Sequence, residues 1–212
     1  MFGTHDLLLF ITSGLLLNMA PGPDSLLIMS RSASQGWRAG SAAALGIGTG
    51  TLIHIFAAAL GLSAVLATSS AAFSAVKYIG AGYLLYIGIR LILSKSSTTD
   101  SDQIIQPTSA SYSNTYIQGF LTNVLNPKIA IFFLAFVPQF IDPNTPNKAL
   151  SFIALGLIFN LNGMLWCHFL AISTAFASQR FKTSQKLANR FNRLTGIFFV
   201  SLGVKLALSK HN

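Results

Sequence analysis

An all-α membrane protein, with six transmembrane helices arranged as two inverted three-helix repeats, is the fold class predicted for this 212-residue chain. Three observations predict it. Hydrophobic residues make up 52% of the chain and charged ones only 9%, where a soluble domain carries about 25% charged residues. Apolar runs near the roughly 20 residues needed to cross a ~30 Å hydrocarbon core occur six times between charged or turn residues. Short stretches of the first half recur in the second.

The spans follow in order. The first runs from Leu7 to Met29, the second from Gly40 to Ala67, the third from Val76 to Leu93, the fourth from Tyr116 to Phe140, the fifth from Ala149 to Ala177 and the sixth from Leu194 to Leu208. The third and sixth are short, but Lys77, Arg90, Arg193 and Lys205 lie near their ends, where long basic side chains reach the interface. The first 20 residues contain no Lys or Arg, so the first span does not read as a cleavable signal peptide. From Ser94 to Asn114 the chain is polar and Ser/Thr-rich, the composition of a linker too hydrophilic to offset the cost of ordering. The domain organisation is therefore a first repeat at 1–93, a linker at 94–114 and a second repeat at 115–212.

The net charge of +9 is explained by orientation in the bilayer rather than by nucleic acid. The loops between spans one and two, three and four, and five and six hold Arg31, Arg38, Arg90, Lys95, Arg180, Lys182, Lys186, Arg190 and Arg193. The opposite side holds only Lys77, Lys148, Lys205 and Lys210. The positive-inside rule then puts both termini outside the cytoplasm of a multi-pass inner-membrane protein. Cys167 is the one cysteine, which excludes an intramolecular disulfide and any CxxC motif.

Two helix breaks concentrate the chemistry. Pro21, Gly22 and Pro23 interrupt the first span, and the two prolines remove the amides that would bind the carbonyls of Leu17 and Met19. Asn126-Pro127-Lys128 interrupts the fourth span and frees the carbonyl of Asn123. The breaks sit in matching places, GLLLNMAPG at Gly14–Gly22 and GFLTNVLNP at Gly119–Pro127. Gly88-Ile89-Arg90-Leu91 is likewise answered by Gly203-Val204-Lys205-Leu206, and Gly46, Gly50 and His54 more loosely by Gly156, Asn160, Met164 and His168. Freed backbone groups inside a membrane are tolerated where they face a cavity, water or another helix. Matched breaks in two inverted repeats point to a substrate site near the midplane, against the plainer reading of two kinks for packing.

Asp24, directly after the first break, is either a stabiliser of the new helix through its dipole or a proton-carrying or amine-binding carboxylate. Lys128 has the mirrored choice: an ion pair with Asp24, a substrate carboxylate, or a reach to the interface. His54 and His168 lie deep in the middle spans as structural residues or proton relays. Asn18, Asn123, Asn160 and Asn162 are intramembrane amides that need partners across helices or on a ligand. Asn160 and Asn162 are two apart and do not share a face.

Taken together, NMAPGPD in the first span, GWRAG at Gly36–Gly40 and LTNVLNPKIAIFFLAFVPQFI at Leu121–Ile141 resemble the lysine exporter/RhtB family of amino-acid exporters over nearly the whole chain. The resemblance implies an inner-membrane, secondary-active exporter of an amino acid or close derivative, coupled to the ion gradient by proton antiport. Within the family, PGPD and LNPK are similar to the homoserine/threonine branch. It implies no cofactor, and as partners an amino acid, a proton and the bilayer, with monomer and homodimer both open. The site then comprises Asn18, Pro21, Gly22, Pro23, Asp24, His54, Asn123, Asn126, Pro127, Lys128, Asn160 and His168, with the cargo between the breaks. Helix amino ends after Pro23 and Pro127 supply donors, and the carbonyls of Leu17, Met19 and Asn123, with Asp24, supply acceptors. A divalent-cation exporter would need several metal ligands at one point, and Asp24, His54, Cys167 and His168 are the whole intramembrane inventory. An intramembrane enzyme would need an acid pair, a Ser/His pair or a metal set, and no motif supports one.

Overall fold

The computed structural model describes residues 3–62, 70–93, 110–177 and 185–208, which form helices and no strand, save one isolated bridge between Thr4 and Ile141. Helix α1 spans Leu7–Met19 and α2 spans Pro23–Gln35. α1 ends where Pro21 and Pro23 withhold their amides, and α2 begins on Pro23, whose fixed φ suits a first helical position. Gly22 between them is extended, with φ −164° and ψ 179°. The first predicted span is thus two helices, and its second half runs on from Met29 to Gln35 because nothing before Gly36 breaks it.

Gly36 is the single residue between α2 and α3 (Trp37–Ala57). Its φ of 83° lies in the left-handed region that glycine enters at no steric cost, and the two helices pack on each other. The expected loop with Arg31 and Arg38 is therefore corrected: both residues are helical, and Arg31 is buried. α3 continues as a π-helical turn over Ala58–Leu62; the end of the second predicted span, residues 63–67, lies outside the described residues. α4 spans Ser70–Leu93. Of the predicted linker, 94–109 lies outside the described residues, and Ser111 caps α5 (Tyr112–Val124), accepting from the Asn114 amide at 3.2 Å. α6 (Pro127–Ile131) runs on through a π segment, Phe132–Phe136, and a 3-10 turn, Val137–Phe140. α7 spans Lys148–Ala177 and α8 Gln185–Leu208, so the sixth span starts nine residues before its expected first residue, Leu194.

Among the described residues, two stretches are long and apolar enough to cross a membrane, Trp37–Gly61 and Lys148–Ala177, and α5 with the run from Pro127 to Phe140 makes a third if that pair, bent by 45°, is one span. α1, at 13 residues, is about 20 Å long and short of a full crossing by itself. Leu157, Leu161, Leu165 and Phe169 form an exposed apolar stripe along α7, which suits lipid.

α3 packs on α5 and α7, α2 lies against α3, α5 and α7, and α1 against α7. Glycine sets the α3–α5 approach, because a Cβ at Gly46 would collide with the Tyr116 carbonyl and one at Gly119 with the Ala43 carbonyl. α4 pairs with α8 and also packs on the Phe132–Phe136 segment. A Cβ at Gly88 would lie 2.7 Å from the Gly196 carbonyl and 2.8 Å from the Val200 amide, and one at Gly203 would lie 3.0 Å from the Ala81 carbonyl and 3.2 Å from the Leu85 amide. The core beside the second break is aromatic: Phe132 stacks on Phe159 at 4.5 Å and on Phe136 at 5.1 Å, and Phe10 meets Phe140 edge-on at 5.2 Å.

Candidate functional site

The two breaks face each other, and their side chains reach across in both directions. Pro21 supplies no amide to Leu17, and the chain leaves the helix before Ala20 can be bonded from the next turn. Lys128, in the first turn of α6, reaches across and its Nζ donates to Leu17 O at 3.2 Å and Ala20 O at 3.1 Å. In the other direction Asp24, in the first turn of α2, accepts from Asn123 Nδ2 at 2.9 Å through Oδ2. Asn123 stands at the end of α5 and is 1% exposed. Its Oδ1 accepts from Thr51 Oγ1 of α3 at 3.3 Å, and its main-chain carbonyl, the one Pro127 leaves free, is met by His54 Nε2 at 3.0 Å and by the Asn126 amide at 2.9 Å. A carbonyl only accepts, so His54 carries a proton on Nε2. Asn126 caps α6, its Oδ1 accepting from the Lys128 amide at 3.0 Å.

Between the breaks lies a cavity lined on its polar side by Asn18, Asp24, Ser25, Thr51, Asn123, Lys128 and Asn160, and on its apolar side by Ile47, Ile129, Phe159, Met164 and Cys167, with Gly48 and Gly163. About 20 Å³ is open to the centre of a water molecule, which is room for about one or two waters and for no amino acid. Among the described residues, Asp24 Oδ1, Asn18 Nδ2 and Asn126 Nδ2 are buried without a hydrogen-bond partner; the Asn126 side-chain amide faces Asp24 but misses hydrogen-bond geometry. Asp24 and Lys128 share the cavity, yet among the described residues the one ion pair within 4.0 Å is His5 with Asp6.

The structure brings Asn18, Asp24, Asn123, Lys128 and Asn160 to one cavity, with Pro21, Gly22, Pro23, Asn126 and Pro127 shaping its two ends. Gly22 matters by its size, since a Cβ there would lie 3.2 Å from Lys128 Nζ. His54 does not line this cavity; it holds the Asn123 carbonyl from behind, stacked on Phe133 at 6.3 Å, and faces a second, apolar cavity with Ala57, Ala58 and Leu134. His168 also lies outside the lining, its Nδ1 on the Met164 carbonyl of its own helix at 2.9 Å. Of the Asn160 and Asn162 pair, Asn160 takes the cavity, as period 3.6 requires. The predicted site lacked the lining residues Ser25, Ile47, Gly48, Thr51, Ile129, Phe159, Gly163, Met164 and Cys167. The signal for α7 was present: 160, 163, 164 and 167 are one helical face, and following it one step further to 168 selected the histidine over the cysteine.

A model of the LysE type translocator family matches residues 15–210. The chain belongs to that family. It is a membrane transporter rather than an enzyme. It is 35% identical over 211 residues to the uncharacterized membrane protein YrhP of Bacillus subtilis, covering 97% of this chain and 100% of that one. It is 28% identical over 206 residues to leucine efflux proteins of Salmonella choleraesuis and Salmonella typhimurium, covering 97% of this chain and 96% of each. No solved structure matches it significantly. In this translocator the two breaks face each other at the cavity lined by Asp24 and Lys128.

Proposed function

We propose that this translocator is a secondary-active exporter of a neutral, aliphatic amino acid across the inner membrane, exchanging it for protons, with the cargo held between the two helix breaks. The observation that carries this reading is the cavity's charge pattern: one carboxylate and one ammonium, not paired with each other, beside an apolar wall of Ile47, Ile129, Phe159 and Met164. A zwitterion answers both charges, its ammonium toward Asp24 and its carboxylate toward Lys128 and the amino end of α6. Asp24 is the one acid lining the cavity, so none is left for a cationic cargo side chain. The leucine efflux relatives favour an aliphatic cargo over the homoserine/threonine branch suggested by the motifs.

The proposal includes six crossings in two inverted repeats, with both termini outside. The matched breaks favour the repeat, as does the α4–α8 contact, in which Ala81, Leu85 and Gly88 stand to Gly196, Val200 and Gly203 at one constant spacing and repeat the same close approaches. Repeats related in this way rock around a fixed midplane site. Since the cavity in this structure is smaller than any amino acid, loading and release both require α2 or α5 to move from α7. Protonation of Asp24 from outside cancels the charge that holds the ammonium and releases the cargo; the proton then leaves to the inside.

The test is export from cells fed a panel of dipeptides, wild type against Asp24→Asn at matched expression. External accumulation of aliphatic amino acids by wild type, lost in the variant, is expected. Full proton-dependent export by Asp24→Asn overturns the coupling role, and no accumulation of any amino acid by abundant wild type overturns the cargo class.

A further inference from the structure

We infer that the carbonyls ending α1, Leu17 O and Ala20 O, are the cargo's ammonium seat, and that Lys128 occupies this seat as an internal stand-in while the carrier is empty. The inference rests on the export reading and refines it, because it adds the carbonyls ending α1 to the Asp24 charge as partners of the cargo ammonium and gives Lys128 two successive partners.

The seat is made by the first break. A helix carboxyl end exposes carbonyls with partial negative charge, and Pro21 removes the amide that would have taken Leu17 O. Leu17 O keeps one weak intrahelical partner, the Ala20 amide at 3.2 Å, while Ala20 O accepts from Lys128 Nζ at 3.1 Å. Lys128 Nζ is itself a primary ammonium, chemically the group an amino acid would bring. It sits on both carbonyls, and Gly22 leaves room for it, because a Cβ there would press on Nζ from 3.2 Å. The seat adjoins the cavity through Asn18 and Lys128, which both line it.

Two features distinguish a displaceable stand-in from a permanent cap. Lys128 shares the cavity with Asp24 and is not ion-paired to it within 4.0 Å, so its hydrogen bonds go to the carbonyls and not to the carboxylate. Its stem is four carbons long and flexible, and lets Nζ retract without moving α6. When a cargo ammonium takes the carbonyls, Nζ is freed toward the cargo carboxylate, and the cavity holds one carboxylate and one ammonium from the protein and the same from the cargo. When cargo leaves, Nζ returns, and no carbonyl is left bare in lipid during the empty carrier's passage.

The experiment uses an amine without a carboxylate, 3-methylbutylamine, on the purified full chain in detergent, with 3-methylbutanol as the uncharged control. Wild type must expel its own ammonium to bind this probe, whereas Lys128→Ala offers the seat open. Thermal stabilisation by the amine should appear at least tenfold lower in concentration for Lys128→Ala than for wild type, with no response to the alcohol. Lys128→Ser, whose short side chain also ends well before the carbonyls, is the second variant. Should neither fold alone, recovery of monodisperse protein when the amine is present throughout extraction is the expected result, and no recovery overturns the inference. Equal amine response in wild type and variants also overturns it. Amine binding by the variants with no amino-acid export by wild type would fell the export reading and leave the seat standing; export without amine preference does the reverse.

Discussion

Asn123→Ala is the most informative single change at the site, because the Asn123 side chain alone ties α5 to both α2 and α3 while its main chain is untouched by the substitution. In the wild type its amide donates to Asp24 Oδ2 at 2.9 Å and accepts from Thr51 at 3.3 Å. Thr51 keeps a bond to the Ile47 carbonyl at 3.1 Å, so it is not stranded. Asp24 is: Oδ1 already has no partner, and the variant removes the one on Oδ2. Interhelical hydrogen bonds in membranes average about 0.6 kcal/mol because the alternatives also find partners. A carboxylate left with no donor falls instead in the range of about 1.5–3 kcal/mol for hydrogen bonds to charged groups. At about 1.4 kcal/mol per tenfold, the arrangement with a charged, oriented Asp24 loses about ten- to hundredfold in population. Export from dipeptide-fed cells at matched expression should fall by about tenfold or more, and the Asp24→Asn, Asn123→Ala double variant should be no worse than its weaker parent, since both act on one bond. Export by Asn123→Ala above half the wild-type rate would refute the reasoning.

The other expected outcomes can be checked alongside it. His54→Ala leaves the Asn123 carbonyl with only the Asn126 amide, and should lower thermal stability by about 1–3 kcal/mol, whereas His168→Ala removes a bond internal to α7 and should leave export within twofold of wild type. Gly46→Leu and Gly119→Leu each drive a side chain into facing backbone and should abolish the monodisperse peak in gel filtration, because neither helix can yield without uncovering the site. Gly88→Val and Gly203→Val meet equivalent neighbours across α4 and α8; if the repeat is inverted, their losses in melting temperature should agree, and a several-fold difference would count against the symmetry.

The breaks were legible because proline acts locally: a missing amide and a fixed φ end a helix whatever surrounds it. The same locality explains the accuracy at Met19, Pro23, Val124 and Pro127, and the error at Gln35, where the helix runs through residues that hydropathy assigned to a loop. Arg31 shows why. A charge count treats it as solvated, but it is buried and donates to Gln118 Oε1 of α5 at 2.8 Å, a partner 87 residues away that no local pattern reveals. Asn18, Asp24, Asn123, Lys128 and Asn160 were recognisable because polar groups within apolar runs are costly. Ser25, Thr51 and Cys167 were not, since small polar residues also satisfy themselves on their own helix, and their place in the lining depends on the rotation of α2, α3 and α7.

What no linear reading supplies is the exchange of caps between the breaks. Each break releases carbonyls that its own helix no longer binds in full, and a partner arrives from the other half of the chain: Lys128 for Leu17 and Ala20, His54 for Asn123. Separating the two halves at the cavity therefore exposes unsatisfied groups at both breaks at once, in a medium that offers no substitute. A cargo that carries both an ammonium and a carboxylate replaces these contacts together, whereas an amine or an acid alone replaces one and leaves the other open. On this argument the empty and the fully loaded forms are the closed ones, with the α1 carbonyls bound in both, and the forms in which only one set of contacts is replaced are the costly ones. That is the energetic condition for a carrier that moves only when it is loaded or empty.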